Sequence, residues 1–203
     1  MTSIRFLALG DSYTIGESVA EQKCWPMQLA DRLQAQGFQT DVTIIARTGW
    51  TTDELWQGIQ SAPPEPPYDM VSLLIGVNNQ YRGRDIEEYR EQFIFLLNKA
   101  IEYAGGDPRR VIVVSIPDWA FTPFAADRDR AAITAAIDAF NAINAQEALK
   151  AGTRYVDVAP ASRSGLSALE LVAADGLHPS AKMYSLWVDL IFPEAIQLLK
   201  SGE

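Results

Sequence analysis

Short apolar runs alternate with longer segments of helical periodicity along almost the whole 203-residue chain. The apolar runs lie at 4–9, 42–46, 70–75, 111–116 and 155–158 and are rich in Val, Ile and Leu. Runs with so little polar alternation are typical of strands covered on both faces, as in a parallel sheet. The helical segments lie at 25–36, 53–60, 86–104, 128–151 and 181–199. This alternation predicts an α/β protein built as a three-layer sandwich.

The length and the even composition favour a single domain over residues 1–203. Domains usually contain roughly 100–200 residues, and no change in composition divides this chain. The one linker-like stretch, at 63–67, contains four prolines. It could join two domains, but we favour a stiff surface loop that leads into the third strand.

Charge and rare residues exclude several classes of function. The formal net charge of −9 argues against nucleic acid and against stable association with an anionic membrane, because both attract positively charged proteins. Cys24 is the only cysteine and His178 the only histidine, so we expect no disulfide within the chain and no metal site. The first apolar run is too short for a signal peptide or a membrane span, and we therefore expect a cytoplasmic protein.

Polar residues follow the predicted strands at the points where ligands bind in parallel sheets, outside the carboxyl ends. Ser12 follows the first strand, Gly49 the second and Asn78 the third. Asp175 and His178 stand just before the last helix. These are the residue types that acyl transfer requires: a hydroxyl nucleophile, a base that takes its proton and a carboxylate that orients the base.

The same loops offer donors for the negative charge that develops on a substrate oxygen. The backbone N–H groups of Ser12 and Gly49 and the side-chain amide of Asn78 are the candidates for this oxyanion hole. Each residue alone also has an ordinary structural interpretation, as a turn residue or, for His178, as a residue at a helix start. Their combination at strand ends favours the catalytic interpretation.

These residues resemble the SGNH (GDSL-type) esterases and lipases. Gly10-Asp11-Ser12 is similar to the first block of that family, Gly49 to the glycine of the second block and Gly76-Val77-Asn78 to the third. The segment from Asp175 to Pro179 is similar to the Asp-x-x-His-Pro of the last block. The blocks occur in family order and extend from the first strand to the last helix, so the resemblance covers nearly the whole chain.

The resemblance implies both a fold and a mechanism. The fold would be a flavodoxin-like α/β/α sandwich with a five-stranded parallel sheet, in agreement with the five apolar runs. Ser12 would be the nucleophile, His178 the base and Asp175 its partner, with Ser12, Gly49 and Asn78 as oxyanion donors. The activity would be hydrolysis of carboxylic esters through an acyl-enzyme. No metal or organic cofactor is implied.

Two residues depart from the family pattern. Tyr13 stands where leucine is usual and Asn79 where aspartate is usual. We expect Tyr13 to change packing rather than chemistry. Asn79 lacks the negative charge of aspartate, so the third loop could be held differently. The chain also lacks the Gly-x-Ser-x-Gly of the larger α/β-hydrolases, which argues against that fold.

Aromatic residues give a hypothesis for the substrate pocket. Trp50 follows Gly49, whereas Trp119, Phe121 and Phe124 follow the fourth strand. They could line a pocket for the acyl or alcohol group, or they could be core packing. The net charge disfavours strongly anionic substrates. We expect a small-molecule substrate, a short-chain ester such as an acetyl group on a sugar or small alcohol.

Two other classes of function remain open on the sequence. The segment 12–16 follows the first strand, as a phosphate-binding loop of a flavin-binding module would. However, Glu17 would repel a phosphate, and the Gly-x-Gly-x-x-Gly pattern is absent. The other class is a ligand-binding protein that keeps the family residues without activity.

Overall fold

The structure is a computed structural model that describes residues 2–200. Its sheet consists of β1 (Thr2–Asp11), β2 (Phe38–Arg47), β3 (Met70–Leu74), β4 (Val111–Val114) and β5 (Arg154–Val156). All strand pairs are parallel and the order is β2-β1-β3-β4-β5. This order confirms the predicted flavodoxin-like five-stranded sheet. It also places the switch in strand order between β1 and β3, where ligands bind in such sheets.

The helices cover both faces of the sheet. They are α1 (Ser12–Ile15), α2 (Trp25–Gln34), α3 (Thr52–Ser61), α4 (Val77–Tyr81), α5 (Ile86–Tyr103), α6 (Arg130–Ala151), α7 (Ala159–Ser162) and α8 (Ala181–Lys200). Helix α2 packs against α8, whereas α3 and α6 pack against α5. The five long helices match the predicted segments to within two residues at each end. The short helices α1, α4 and α7 are too brief to produce a periodic pattern, so the sequence did not predict them.

The strand bounds differ most from the predicted apolar runs at the edge strand β2. The central strand β3 is buried throughout, as expected for a strand with helices on both faces. In contrast, β2 is an edge strand, and most of its residues are only partly buried. It extends beyond the apolar run 42–46 because its backbone pairs with β1 from Phe38 to Arg47. Its ends are therefore set by pairing rather than by hydrophobicity.

The proline-rich segment 63–67 lies against the first strand. The Arg5 side chain of β1 donates hydrogen bonds to the backbone carbonyls of Pro67 and Glu65 at 2.8 and 2.7 Å. The same guanidinium lies 4.4 Å from the centre of the Tyr68 ring. Over residues 2–200, none of the helices is both long and apolar enough to cross a membrane.

Candidate active site

The turn after β1 explains why glycine, aspartate and serine follow one another there. Ser12 is the first residue of α1, and the Asp11 side chain caps this helix by accepting the Tyr13 N–H at 3.0 Å. A Cβ atom at Gly10 would lie 2.1 Å from Thr14 Oγ1 and 2.5 Å from the Leu74 carbonyl oxygen. Only glycine fits at this position, where β1 and β3 approach α1.

Asp11 is completely buried beneath this turn. Burial raises the pKa of its carboxyl to about 7, although hydrogen bonds from the backbone N–H groups of Tyr13 and Asp11 oppose the change. The second carboxyl oxygen, Oδ2, has no hydrogen-bond partner among the described residues. Asp11 therefore exchanges its proton near neutral pH, one residue before Ser12.

The loop before α8 brings Asp175 and His178 together through a local turn. Asp175 Oδ1 accepts the backbone N–H groups of Leu177 and His178 at 2.9 and 3.0 Å. This places Oδ2 2.6 Å from His178 Nδ1. Gly176, with φ of +74°, supplies the left-handed conformation inside the turn. The three-residue spacing thus suffices for a carboxylate to orient the ring.

Asp175 has an additional partner that the sequence did not reveal. Ser18 Oγ donates to Asp175 Oδ2 at 2.6 Å, across 157 residues of sequence. Burial would raise the pKa of Asp175, but the hydrogen bonds from Ser18, Leu177 and His178 outweigh it and hold the pKa well below its ordinary value. Ser18 has φ of +66°, the only positive φ at a non-glycine residue in the described part of the chain. Its position six residues after Ser12 matches no familiar spacing.

One cavity contains the candidate nucleophile, the candidate base and two of the three candidate oxyanion residues, Ser12 and Asn78. This cavity, called the Ser12 cavity below, has a volume of about 190 Å³. Its walls are formed by Ser12, Tyr13, Val77, Asn78, Tyr81, Trp119, Phe124, Leu177 and His178. Ser12 and His178 both lie in the part of the chain that the structure describes, and their side chains make no direct hydrogen bond to each other. The structure therefore brings the two residues to one cavity without joining them.

Besides Ser12, the oxyanion candidates are Asn78 in α4 and Gly49 in the loop between β2 and α3. Asn78 Nδ2 donates one hydrogen bond to the Trp50 carbonyl at 2.9 Å, which leaves its second N–H group for a ligand. Gly49 has φ of +86°, and its carbonyl oxygen accepts a hydrogen bond from Arg82 at 2.6 Å. Gly49 is not part of the cavity wall, but the Asn78–Trp50 hydrogen bond ties its loop to that wall.

The two departures from the family pattern have structural partners. Asn79 Oδ1 accepts the Thr52 N–H at 3.1 Å, and Asn79 Nδ2 donates to Thr52 Oγ1 at 2.8 Å. A neutral amide thus joins α4 to the start of α3, and no negative charge is needed. The Tyr13 ring packs edge-on against His178, with ring centres 5.7 Å apart. Burial raises the pKa of the Tyr13 phenol, so it stays protonated.

The aromatic residues divide into two groups. Trp119 and Phe124 line the Ser12 cavity, as the sequence suggested, whereas Trp50 and Phe121 do not. The Trp50 ring packs on Gly58 of α3, where a Cβ atom would lie 2.1 Å from it. Phe121 packs against the hydrophobic core. Tyr81 lines the cavity but was not predicted, although it lies three residues after Asn78, one helical turn along α4.

A buried carboxylate holds the aromatic wall in place. Asp118 is completely buried directly before Trp119 and accepts hydrogen bonds from the Ala120 N–H, from Thr134 Oγ1 and from Arg163 Nε. The distances are 3.1, 2.9 and 3.0 Å. The Trp119 indole N–H donates to Gln80 of α4 at 2.9 Å. The wall is therefore fixed to the helices around it.

The candidate catalytic groups of the site are the Ser12 hydroxyl, one imidazole–carboxylate pair and amide donors. Within the described range 2–200, no three or more His, Cys, Asp or Glu side chains are grouped so that they could hold a metal ion. Cys24 is buried and free. The arrangement offers proton transfer and hydrogen bonding to a bound ligand.

Comparison with protein families gives a match across most of the chain. The model of the GDSL-like Lipase/Acylhydrolase family matches residues 8–186. The chain belongs to this family. It is an ester hydrolase, and the resemblance inferred from its sequence blocks is confirmed. Among curated protein sequences, none matches this chain significantly.

Solved structures share the fold. TesA superposes with a TM-score of 0.75 at 19% identity, covering 96% of this chain and 99% of that chain. The acetylxylan esterase Axe2 of Geobacillus stearothermophilus gives a TM-score of 0.74 at 18% identity, covering 96% and 94%. The psychrotrophic esterase EstA of Pseudoalteromonas sp. gives 0.69 at 16% identity, covering 97% and 98%. At these identities the similarity extends to the α/β architecture.

Proposed function

We propose that the protein hydrolyses short-chain carboxylic esters, such as acetyl esters of a sugar or a small alcohol, with Ser12 as nucleophile. His178 is the base and Asp175 its orienting partner. The observation that carries this proposal is the Asp175–His178 contact of 2.6 Å at the wall of a cavity that Ser12 also lines. The residues have the chemistry and the order of the family blocks, although they come from opposite ends of the chain.

In the first half of the reaction, His178 Nε2 takes the proton of Ser12 Oγ as this oxygen attacks the ester carbonyl. The contact between the two groups forms in the substrate complex, because such hydrogen bonds are often long in the unliganded enzyme. Asp175 remains ionised and stabilises the imidazolium. The imidazolium then gives its proton to the alcohol oxygen, the ester C–O bond breaks and an acyl-Ser12 ester remains.

In the second half, a water molecule attacks the acyl-Ser12 carbonyl while His178 takes a proton from that water. The second tetrahedral intermediate releases the carboxylic acid, and the proton returns to Ser12 Oγ. In both halves the former carbonyl oxygen becomes negatively charged in the tetrahedral intermediate. This oxygen accepts hydrogen bonds from the Ser12 N–H, the Gly49 N–H and the free N–H of Asn78. Donors fixed in place before the reaction stabilise this charge without reorganisation.

The dimensions of the Ser12 cavity support a small substrate. Its volume of about 190 Å³ is smaller than the roughly 300–1,000 Å³ of typical sites for drug-sized ligands. Trp119 and Phe124 form apolar walls that a short acyl chain or a small alcohol would contact. The Axe2 structure is that of an acetylxylan esterase, which is consistent with an acetyl group as the acyl part.

Labelling with a fluorophosphonate followed by peptide mapping tests the nucleophile. We expect the label on Ser12, and Ser12→Ala should lower kcat by roughly 10⁶, as for removal of a serine nucleophile in a protease. Ser167→Ala, at an exposed serine elsewhere on the surface, is the matched control and should change neither labelling nor kcat. Labelling of another serine, or unchanged activity in Ser12→Ala, would overturn the assignment.

A series of p-nitrophenyl esters of increasing acyl length tests the substrate class. We expect kcat/KM to be highest for the shortest acyl groups and to fall as the chain outgrows the cavity. An optimum at long acyl chains would contradict the short-chain proposal while leaving the nucleophile assignment intact.

A further inference from the structure

An arginine that makes no ion pair within residues 2–200, Arg128, packs against three aromatic side chains of the Ser12 cavity wall. Arg128 is exposed in the loop that precedes α6. Its guanidinium lies 5.3 Å from the ring centre of Tyr81, 5.6 Å from that of Trp119 and 4.9 Å from that of Phe124. We call these three rings the aromatic cage. All three also line the Ser12 cavity, so the cage connects this cation to the candidate catalytic residues.

The aromatic cage holds Arg128 without neutralising it. The rings are in mutual contact, with centres 5.6 to 6.4 Å apart, and Arg128 Nη2 donates to the Tyr81 hydroxyl at 3.2 Å. Cation–π contacts leave the full positive charge on the guanidinium. Among the described residues, no carboxylate lies within ion-pair distance of Arg128.

The nearby acidic side chains do not form an ion pair with Arg128. Asp129, the next residue, accepts the Ala132 N–H at 3.0 Å as the cap of α6. Asp127 is exposed and makes no ion pair with Arg128. Asp118 is buried and bound to Arg163. The N–H groups that Arg128 does not donate to Tyr81 therefore remain available to a ligand that contacts the aromatic cage.

We propose that Arg128, held by Tyr81, Trp119 and Phe124, binds an anionic group on the ester substrate, a carboxylate or a similar oxyanion, at the end remote from the scissile bond. This rests on the proposed function and narrows its substrate class. A guanidinium with its faces on aromatic rings still presents N–H donors at its edge, in the planar geometry that matches a carboxylate. Because the rings restrict the side chain before the ligand arrives, less conformational entropy is lost on binding.

The local cation outweighs the acidic surface that argued against anionic substrates. At physiological ionic strength, charges beyond about 8 Å are largely screened. A carboxylate in contact with Arg128 thus interacts more strongly with the guanidinium than with acidic residues beyond that distance, although Asp127 and Asp129 flank Arg128 in the chain. A cationic substrate would have to displace Arg128 from the aromatic cage, which disfavours that class.

Three acetyl esters of matched shape test the proposal: 4-acetoxybenzoate, neutral 4-acetoxybenzamide and cationic 4-(trimethylammonio)phenyl acetate. In Arg128→Gln, we expect kcat/KM for the anionic ester relative to the neutral one to fall about tenfold, mainly through KM, because a charge-assisted contact is lost. Arg128→Lys keeps the charge but loses the planar fork, and the ratio should fall by only about threefold. Arg109→Gln is the matched control: this exposed arginine pairs with Asp107 near the start of β4, and its loss should leave the ratio unchanged.

Each result bears on the proposal. An anionic-to-neutral ratio that is the same in Arg128→Gln and the parent would overturn it, as would a parent that prefers the trimethylammonio ester. If the neutral ester is hydrolysed in a Ser12-dependent manner while the ratio does not depend on Arg128, only this inference fails. If the parent hydrolyses none of the three esters, the proposed function fails with it.

Discussion

The buried carboxyl of Asp11 gives a quantitative prediction about stability and pH. Its ordinary pKa of 3.8 describes the unfolded chain, whereas burial raises the value in the folded protein to about 7. Between these two values the native state holds a proton that the unfolded state has released. The stability contributed by protonated Asp11 is therefore fully present below 3.8 and is lost as the pH rises through about 7.

The size of the effect follows from the difference between the two pKa values. A change from 3.8 to about 7 corresponds to about 4 kcal/mol of unfolding free energy. About 3 kcal/mol of this loss should occur between about pH 5 and about pH 8, since the native group titrates in that window. The lowered pKa of Asp175 acts in the opposite direction, but its effect falls in more acidic solution, outside this window.

Asp11→Asn removes the titration but keeps the helix cap. The amide oxygen can still accept the Tyr13 N–H, whereas the amide nitrogen would occupy the place of the unpaired Oδ2. An unpaired buried N–H group lowers the stability of the folded variant by about 1–3 kcal/mol. In the parent, the O–H group of protonated Asp11 lacks a partner at the same position. Near pH 5 the unfolding free energy of the variant should thus be similar to that of the parent or lower. From about pH 5 to about pH 8 it should rise by about 3 kcal/mol relative to that of the parent.

Urea unfolding of both proteins at several pH values measures this difference. A gain of about 3 kcal/mol moves the midpoint of the variant by about 1 M or more relative to the parent. Asp107→Asn is the matched control, because Asp107 also caps a short helix but its side-chain hydrogen bond with Arg109 lowers the pKa of its carboxyl. The difference in unfolding free energy between Asp107→Asn and the parent should not change with pH over this range. Parallel curves for the parent and Asp11→Asn would refute the reasoning.

Two further substitutions test the support of the candidate catalytic residues. Ser18→Gly removes the hydrogen bond to Asp175 but suits the positive φ at this position. We therefore expect kcat to fall about tenfold in steady-state kinetics, while the melting temperature measured by calorimetry is unchanged or higher. A fall in both kcat and the melting temperature would contradict this reasoning. Asn78→Ala removes one proposed oxyanion donor and should lower kcat by about 10²–10³ with little change in KM. An unchanged kcat would exclude that role for Asn78.

Much of the fold could be read from patterns along the chain. The alternation of apolar runs and helical segments predicted the five strands and the five long helices, because burial in a parallel sheet requires uninterrupted apolar residues. The ends of β2 were not predictable in this way, since they depend on backbone pairing with β1. The short helices α1 and α4 contain less than two turns and leave no periodic signal.

The contact between Asp175 and His178 could be predicted from the sequence for a different reason. It is made within a single turn, so a spacing of three residues and one glycine suffice to specify it. The cap that Asp11 provides for α1 is equally local. Interactions of this kind depend on neighbouring residues and on backbone geometry, which a sequence displays directly.

The chain alone thus determined the layer architecture, the family blocks and the local turns that carry them. Only the folded structure decided that Tyr81 rather than Trp50 faces the Ser12 cavity, that Ser18 contacts Asp175, and that Arg128 packs against aromatic rings of the cavity wall. These contacts join segments far apart in the sequence. The direction in which a side chain points, and the polarity of its surroundings, depend on how the layers pack, and no local pattern encodes that packing.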